Sequence, residues 1–284
     1  MLAIDKAKVQ KLLYVVENPK ADLRRVDRYR AVDENGVPYK VVSLHQSEAL
    51  KRILNYGKDR RHFSFAHMQN IREVIARMST VNCGRLLMLI GHIDFETGVL
   101  VNERGKPMDK NDMREVVKLS ERAFRDFFRT MTENDIIQEL ENGQYRINPQ
   151  YHFVGKLDDD KAVKAFTAAV RKLADVLKPA ELGFVYKLLP HVHYSTNMIC
   201  LDPFEPDPRR IQFLNAKRIA EVVGMDEKET VKILKRLRKA GVLAETRRED
   251  DKRDVLFIVN PFIFYRKKGR PDETLRAMFS AHPY

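Results

Sequence analysis

His191 and His193, with only Val192 between them, form the pattern in this sequence that is most like a catalytic site. Two histidines at this spacing can hold a metal ion, and rolling-circle nicking enzymes combine such a pair with a tyrosine nucleophile. Tyr194 and Tyr265 are candidates for that tyrosine. However, His92-Ile93-Asp94 stands at the equivalent place of an internal repeat, at the end of a core helix. We therefore expect structural histidines, and we expect that the chain is not an enzyme.

Other metal or cofactor chemistry has weaker support. Cys83 and Cys200 are too few for a four-thiolate zinc site or a disulfide scaffold, and lone cysteines are usually core residues. Asp158-Asp159-Asp160 could bind Mg²⁺, but negative charge at a helix start explains these residues more simply. The pattern G-x-x-x-x-G-K-S/T does not occur, so ATP-driven chemistry is not supported. We expect neither a metal nor a cofactor.

The charge balance indicates a different kind of partner. Lys and Arg number 52 against 40 Asp and Glu, which gives a net charge of +12. A basic chain of this kind often binds a polyanion such as nucleic acid. No apolar run reaches the roughly 18 residues that a membrane helix needs, and the N-terminal residues do not have the pattern of a secretory signal. We expect a cytoplasmic protein without a membrane partner.

The chain contains an internal repeat of about a hundred residues. Residues 89–95 resemble 188–194, residues 115–122 resemble 221–228, and residues 145–149 resemble 257–261. The offsets are 99, 106 and 112, so insertions fall only between the matching blocks. This period is too long for a solenoid repeat. It predicts two copies of one small domain.

Each copy has the element order of a winged helix-turn-helix. In the second copy we predict a helix at Pro179–Leu189, a strand at Met198–Leu201, helices at Ala216–Val223 and Glu227–Ala240 capped by Asn215 and Asp226, and a hairpin from Val242–Thr246 and Val255–Val259. In the first copy we predict helices at Thr80–Ile93, Asn111–Val117 and Ser120–Thr132, a strand at Val99–Val101 and a hairpin at Ile136–Asn148. The apolar face predicted for the helix after Asp226 consists of Val231, Ile233, Leu234 and Leu237.

The predicted fold class is mainly α with small β-hairpins (α+β), with two tandem winged helix-turn-helix domains and an N-terminal α/β extension. The predicted divisions are 1–62 for the extension, 63–156 and 179–266 for the two winged domains, 157–178 for a connecting helix, and 267–284 for a basic tail. The extension should hold helices at Asp5–Val16 and Ser47–Asn55 and a hairpin at Arg30–Val42 that turns at Asn35-Gly36. Helices are also predicted at Phe63–Met78 and Asp158–Leu177.

The charges of the two copies differ where a helix-turn-helix would meet DNA. Residues 226–239 contain six basic and three acidic residues, whereas the equivalent helix of the first copy has a net charge of zero and is followed by an acidic hairpin. Predicted DNA contacts are Lys228, Thr230, Lys232, Lys235, Arg236, Lys239, Arg247, Arg248, Lys252 and Arg253 in the second copy, and Ser120, Arg122, Arg125 and Arg129 in the first. The first copy reads DNA through its arginines or pairs with another protomer. Winged helices can also serve as protein-interaction modules without a DNA role.

A basic segment follows the second copy. Lys267, Lys268 and Arg270, together with Gly269 and Pro271, resemble the Gly-Arg-Pro core of minor-groove hooks. A solvated tail is the alternative interpretation of these residues.

Each copy closes on Ile-Asn-Pro or Val-Asn-Pro followed by aromatic residues, at 147–153 and 259–265. This ending resembles that of winged-helix domains in RepL-like replication proteins of plasmids and phages. The resemblance implies a sequence-specific double-stranded DNA-binding protein, associated with the nucleoid or a plasmid, that initiates replication at repeated origin sites. A transcription repressor of a mobile element is the alternative. A second copy of the chain and host replication or transcription proteins are further candidate partners. The N-terminal 60 residues and the acidic first hairpin depart from the family pattern.

Overall fold

The computed structural model describes residues 24–27, 30–40, 61–155, 161–247, 254–267 and 269–281. The chain divides into two compact units, Met1–Asp59 and Arg60–Tyr284. Helices and strands are mixed along the chain, so the protein belongs to the mixed α/β class. Among the described residues, no helix combines the length and the apolar composition needed to cross a membrane.

The N-terminal unit contains a small antiparallel sheet. Its strands are β1 (Arg24–Arg25), β2 (Arg30–Val32) and β3 (Pro38–Lys40), paired in that order. Gly36 adopts a φ of 76°, and the Asp33 carboxylate accepts hydrogen bonds from the backbone N–H groups of Asn35 and Val37. The hairpin predicted to turn at Asn35-Gly36 is therefore present. The helices predicted at 5–16 and 47–55 lie outside the described residues.

The second unit holds the two copies, which have the same order of elements. The first copy contains β4 (Phe63–His67), α1 (Ile71–Arg77), α2 (Thr80–Ile90), α3 (Lys110–Val116), α4 (Glu121–Glu133), β5 (Ile137–Glu139), β6 (Tyr145–Ile147) and β7 (His152–Phe153). The second contains β8 (Ala162–Phe166), α5 (Thr167–Val176), α6 (Pro179–Leu188), α7 (Ala216–Val223), α8 (Glu227–Lys239), β9 (Leu243–Arg247), β10 (Val255–Val259) and β11 (Phe264–Tyr265). Helix α9 (Glu273–Met278) follows.

A four-stranded sheet joins the copies, in the order β11-β8-β4-β7. The central strands β4 and β8 are antiparallel. Phe63 pairs with Phe166 at one end, and His67 pairs with Ala162 at the other. The pairing is centred on Phe65 and Lys164, which are equivalent residues of the two copies. Because each copy contributes the same strand to the centre and the same strand to an edge, an approximate two-fold axis passes between β4 and β8.

This sheet corrects two of the predicted helices. Residues 63–67, predicted as the start of a helix, form β4, and residues 162–166, predicted as part of the connecting helix, form β8. Helix α1 begins only at Ile71 and α5 at Thr167. Every residue of β8 is buried, so the strand lacks the alternation of buried and exposed residues that indicates a half-buried strand. Asp158, Asp159 and Asp160 lie outside the described residues.

Helices α2 and α6 cross at their glycines. A Cβ atom placed on Gly84 would lie 1.7 Å from the carbonyl oxygen of Pro179, and one on Gly183 would lie 1.6 Å from that of Thr80. Pro179 is the equivalent of Thr80, so the two contacts are related by the approximate two-fold axis. The absence of side chains at both positions allows the helix backbones to touch.

Two equivalent arginines, one from each copy, also form hydrogen bonds to the other copy. Arg72 of α1 donates a hydrogen bond to the Pro190 carbonyl of the second copy at 3.2 Å. Its equivalent Arg171 of α5 donates to the Gly91 carbonyl of the first copy at 2.6 Å. Each copy therefore caps the end of the other's central helix. The buried core is likewise continuous between the copies.

Helix ends in both copies follow local capping rules. The side chain of Asn215 accepts the Arg218 N–H, and that of Asp226 accepts the N–H groups of Lys228 and Glu229. Gly224 ends α7 with a φ of 67°, a conformation that glycine adopts at little cost. These caps fix the tight turn between α7 and α8 where it was predicted.

The segment predicted as a basic tail contains packed structure. Arg266, just before it, is buried, and its Nη1 donates hydrogen bonds to the carbonyls of Val192 and Pro203. Helix α9 lies within 267–284, and Leu275 and Phe279 from this region are buried.

Candidate nucleic-acid interface

The outward face of α8 carries a row of four lysines. Lys228, Lys232, Lys235 and Lys239 are all exposed and follow the i, i+4, i+7, i+11 spacing of one helix face. We call these four residues the lysine stripe. A hydrogen bond and the negative charge of Glu229, whose Oε1 lies 2.6 Å from Lys232 Nζ, raise the pKa of Lys232. Four cationic groups on one exposed face suit a polyanion.

The buried face of α8 differs from its prediction at two residues. Thr230, predicted as a DNA contact, is fully buried, and Val231, predicted as part of the apolar face, is 47% exposed. Positions 230, 234 and 237 share the face that packs on the core, whereas position 231 is rotated by about 100° from 230. The position on the helix, rather than the type of side chain, decides burial here.

Arg236 is held against the protein. Its Nη2 donates to the carbonyl of Val176 at 3.3 Å, and its Nε lies 3.6 Å from Glu181 Oε1. Glu181 is largely buried, with 16% of its side chain exposed. Arg236, predicted as a DNA contact, thus connects α8 to α6. In the hairpin after α8, Arg247 is exposed at the end of β9, while Arg248, Lys252 and Arg253 lie outside the described residues.

The equivalent face of α4 in the first copy carries both basic and acidic side chains. The four positions that match the lysine stripe are Arg122, Asp126, Arg129 and Glu133. Arg129 and Asp126 form an ion pair at 3.0 Å. Ser120, also predicted as a DNA contact, caps α4 by accepting the N–H of Ala123. The structure therefore places the predicted residues of the first copy on the surface without producing a cationic row.

A groove flanks α4 on the side of α3. Lys110, Arg114 and Arg125 line it, and the rings of Phe124 and Phe128 contribute to its wall. The ammonium of Lys110 lies 5.0 Å from the centre of the Phe128 ring. The cationic charge of the first copy is thus concentrated beside α4 rather than along its outward stripe.

The three basic residues predicted as a minor-groove hook are only partly described. Lys267 is half-buried, and its carbonyl accepts a hydrogen bond from Lys164 Nζ at 2.6 Å. Arg270 is exposed, and Lys268 lies outside the described residues.

The histidines of the candidate metal pair have structural contacts. Nδ1 of His191 lies 3.2 Å from the Cys200 carbonyl, as Nδ1 of His92 lies 3.3 Å from the Val101 carbonyl at the equivalent place. Burial, with the nearby charge of Arg72, lowers the pKa of His191 to about 4. His193 uses both ring nitrogens, with Nε2 at 3.0 Å from the Glu205 carbonyl and Nδ1 at 3.1 Å from Ser195 Oγ.

Of the two candidate tyrosines, Tyr194 is 43% exposed and Tyr265 is buried. Within the described part of the chain, no three His, Cys, Asp or Glu side chains come together as a metal site. Both cysteines are buried, as expected of core residues, and burial raises the pKa of Cys83 to about 11.

A basic cluster that the sequence analysis missed lies beside α7. Arg209 and Arg210, in the loop before α7, and Arg218, in the first turn of α7, border one open groove. The signal was present in the repeat, because the offset between the copies rises from 99 to 106 across this loop. The extra residues of this loop have no counterpart in the first copy.

Comparison of this chain with protein-family models, curated proteins and solved structures finds no match to any of them.

Proposed function

We propose that this protein binds double-stranded DNA sequence-specifically through two tandem winged helix-turn-helix domains, as a replication initiator of a plasmid or phage. The observation that carries the proposal is the lysine stripe on α8. Helix α8 is the second helix of a pair joined by a tight turn, the position that enters the major groove in helix-turn-helix proteins. Lys232 and Lys235 of the stripe support contacts with phosphates, and Lys228, at the exposed start of α8, supports a contact with a base edge.

The second copy is the principal reader in this proposal. DNA that approached α4 in the same way would bring its phosphates against Asp126 and Glu133 as well as against Arg122 and Arg129. The acidic hairpin residues Glu139 and Glu141 add further repulsion. The first copy therefore contributes less binding free energy than the second, through its three arginines Arg122, Arg125 and Arg129.

The position of the copies also supports one extended DNA site. The approximate two-fold axis between β4 and β8 relates α4 to α8 within a single chain. Dimeric helix-turn-helix proteins use the same relation between their two second helices. The single chain would accordingly read two unequal half-sites, with the stronger contacts made by α8.

The lysine stripe provides the direct test. Replacing Lys232 and Lys235 together by alanine should weaken binding to every duplex sequence, because both side chains are placed to meet phosphates. Affinity of the unchanged protein for a duplex should fall about a thousandfold between 50 and 200 mM salt if about six phosphates are contacted. Fluorescence anisotropy with labelled duplexes measures both quantities.

Asp126 and Arg129 provide the matched control, because they occupy the equivalent positions of α4. Their double alanine variant should bind DNA nearly as well as the unchanged protein. Binding that is absent or insensitive to salt in the unchanged protein would refute the proposed function. A larger loss in the Asp126/Arg129 variant than in the Lys232/Lys235 variant would reverse the ranking of the copies.

The choice between an initiator and a repressor depends on the arrangement of the DNA sites. Footprinting on the DNA that flanks the gene should show repeated sites beside an A·T-rich stretch. A single site that overlaps a promoter would instead identify a transcription repressor. Both outcomes use the same protein surface.

A further inference from the structure

The loop before the first helix of the helix pair differs in length between the copies. In the first copy, residues 101–107 lie between Leu100 and Met108, which are joined by a backbone hydrogen bond. In the second copy, residues 200–213 lie between the equivalent partners Ile199 and Leu214. The second loop is therefore seven residues longer. We call residues 202–210 of this loop the insertion.

Buried polar groups hold the start of the insertion in place. The guanidinium of Arg266 donates to the Pro203 carbonyl at 2.7 Å and lies 4.8 Å from the centre of the Phe204 ring. His193 lies 3.0 Å from the Glu205 carbonyl through Nε2, so that nitrogen carries the proton that is donated. A buried arginine and a buried histidine thus fix the backbone of an exposed loop.

Asp207 fixes the backbone at the two arginines that follow it, Arg209 and Arg210. Its carboxylate accepts the backbone N–H of Arg209 at 2.9 Å, and its carbonyl accepts that of Arg210 at 2.9 Å. The Arg210 side chain is 76% exposed and lies 3.7 Å from the Asp207 carboxylate. An ion pair as exposed as this one is weak, so it leaves the guanidinium available to another anion.

The insertion forms one wall of a groove of about 720 Å³. The groove is lined by Arg209 and Arg210 of the insertion and by Arg218 of α7, together with the acidic residues Glu205 and Asp254. Asn215 donates to the Asp254 carboxylate at 3.0 Å, which fastens the start of α7 to the hairpin and occupies that acidic group. Three exposed arginines consequently converge on one groove next to the predicted wing.

The first copy differs from the second at the place equivalent to the start of α7. The positions equivalent to Lys217 and Arg218 are Asn111 and Asp112. The Asp112 carboxylate accepts the Asn102 side-chain amide at 3.2 Å and faces the start of its own helix. The same fold position is thus cationic in the copy with the lysine stripe and acidic in the other.

We infer that the insertion of the second copy is a binding site for the phosphodiester backbone, in which Arg209, Arg210 and Arg218 contact phosphates next to those met by the lysine stripe. This inference rests on the proposed function. Arginine is suited to the role because its planar guanidinium can form two parallel hydrogen bonds to one phosphate. His193 and Arg266 act as positioning residues for the insertion.

The salt dependence of DNA binding tests the inference in the full chain. Replacing Arg209 and Arg210 together by alanine should lower affinity for a duplex by about tenfold or more near 0.15 M salt, and should reduce the slope of log K against log salt by about two. Both side chains are exposed, so folding should be unchanged. The matched control replaces Arg104 and Lys106, which lie in the shorter loop of the first copy, and should keep the slope of the unchanged protein.

The outcomes separate this inference from the proposed function. A steep slope that is equal in the unchanged protein and in the Arg209/Arg210 variant would overturn the inference and leave DNA binding intact. Absence of DNA binding in the unchanged protein would overturn both. Phosphate ethylation interference provides a second measurement. In the Arg209/Arg210 variant, ethylation of phosphates at one side of the site should no longer interfere with binding. The control should show the same interfering positions as the unchanged protein.

Discussion

Two buried histidines, His152 and His191, should make the stability of this protein depend on pH in the mildly acidic range. Burial lowers the pKa of His152 to about 3 and that of His191 to about 4. In the unfolded chain both would titrate near pH 6.5. Between pH 6.5 and 4.5 the unfolded state binds more protons than the folded state, so the free energy of unfolding falls as pH falls. The expected loss is about 1.4 kcal/mol per pH unit for each histidine, measurable as urea midpoints over this range.

A His152→Phe variant isolates one of these contributions. The equivalent residue of the second copy is Phe264, so an aromatic ring fits this position of the fold. The substitution removes the partner of the Tyr186 hydroxyl, 2.9 Å from His152 Nε2, and lowers stability at pH 7. Its pH slope should nevertheless be smaller than that of the unchanged protein. An equal slope would show that His152 does not cause the acid sensitivity.

Thr230 gives a second prediction for a single residue. Its hydroxyl is buried and has no hydrogen-bond partner among the described residues. Replacing Thr230 by valine keeps the shape and removes the unsatisfied hydroxyl, so the free energy of unfolding should rise by about 1 kcal/mol. DNA sequence preference should stay the same, whereas Lys228→Ala at the exposed start of α8 should change it. A changed preference in Thr230→Val would place Thr230 at the interface.

At the scale of elements, the crossing of α2 and α6 depends on its two glycines. Gly84→Ala would place a methyl group within 1.7 Å of a backbone oxygen, so the helices must move apart. We expect a loss of about 3 kcal/mol or more in the free energy of unfolding, and a similar loss for Gly183→Ala. Gly143→Asn, in an open turn with a φ of 75°, should cost little. Unchanged thermal stability of Gly84→Ala would contradict this packing.

Capped helices and hairpins were the elements that could be predicted from sequence. Asn215 and Asp226 cap α7 and α8 where they were predicted, because capping depends on residues only three positions apart. Strands β4 and β8 could not be predicted in this way, since each is stabilised by a partner about a hundred residues distant. The segments 63–67 and 162–166 also differ in sequence, so the repeat did not reveal them.

Of the candidate interface, the sequence predicted the exposed lysines of α8 but not the surroundings of individual residues or the groove beside α7. Lysine spacing on α8 was enough to place the stripe on one face, because the helix period relates position to direction. The burial of Thr230 and the contact of Arg236 with Glu181 were not predicted, because the surroundings of both residues are supplied by α6 and the core rather than by α8 itself. The groove beside α7 was missed because Arg209 and Arg218 approach each other only after the insertion folds.

At the scale of the whole molecule, the two copies should fold as one unit. The central strand of each copy lacks its pairing partner until the other copy is present, and so do the central helix and the end of that helix. Residues 61–155 and 161–281, produced separately, should therefore show little stable structure by circular dichroism. Mixed together, they should regain helical signal and bind DNA. A second half that folds alone and binds DNA with full affinity would contradict this prediction.

The two-fold relation between unequal copies has a consequence for direction. An assembly of two identical chains presents the same surface to both halves of its target, so turning the target end for end changes nothing. Under the proposed function, α8 and the insertion would face one half of the DNA target and α4 the other, in an order that is fixed by the single chain. The two ends of a bound duplex would then be distinguishable, because different surfaces of the protein bind the two halves of the site. Successive sites along an origin could then all be occupied in the same orientation, so that an array of bound proteins points one way.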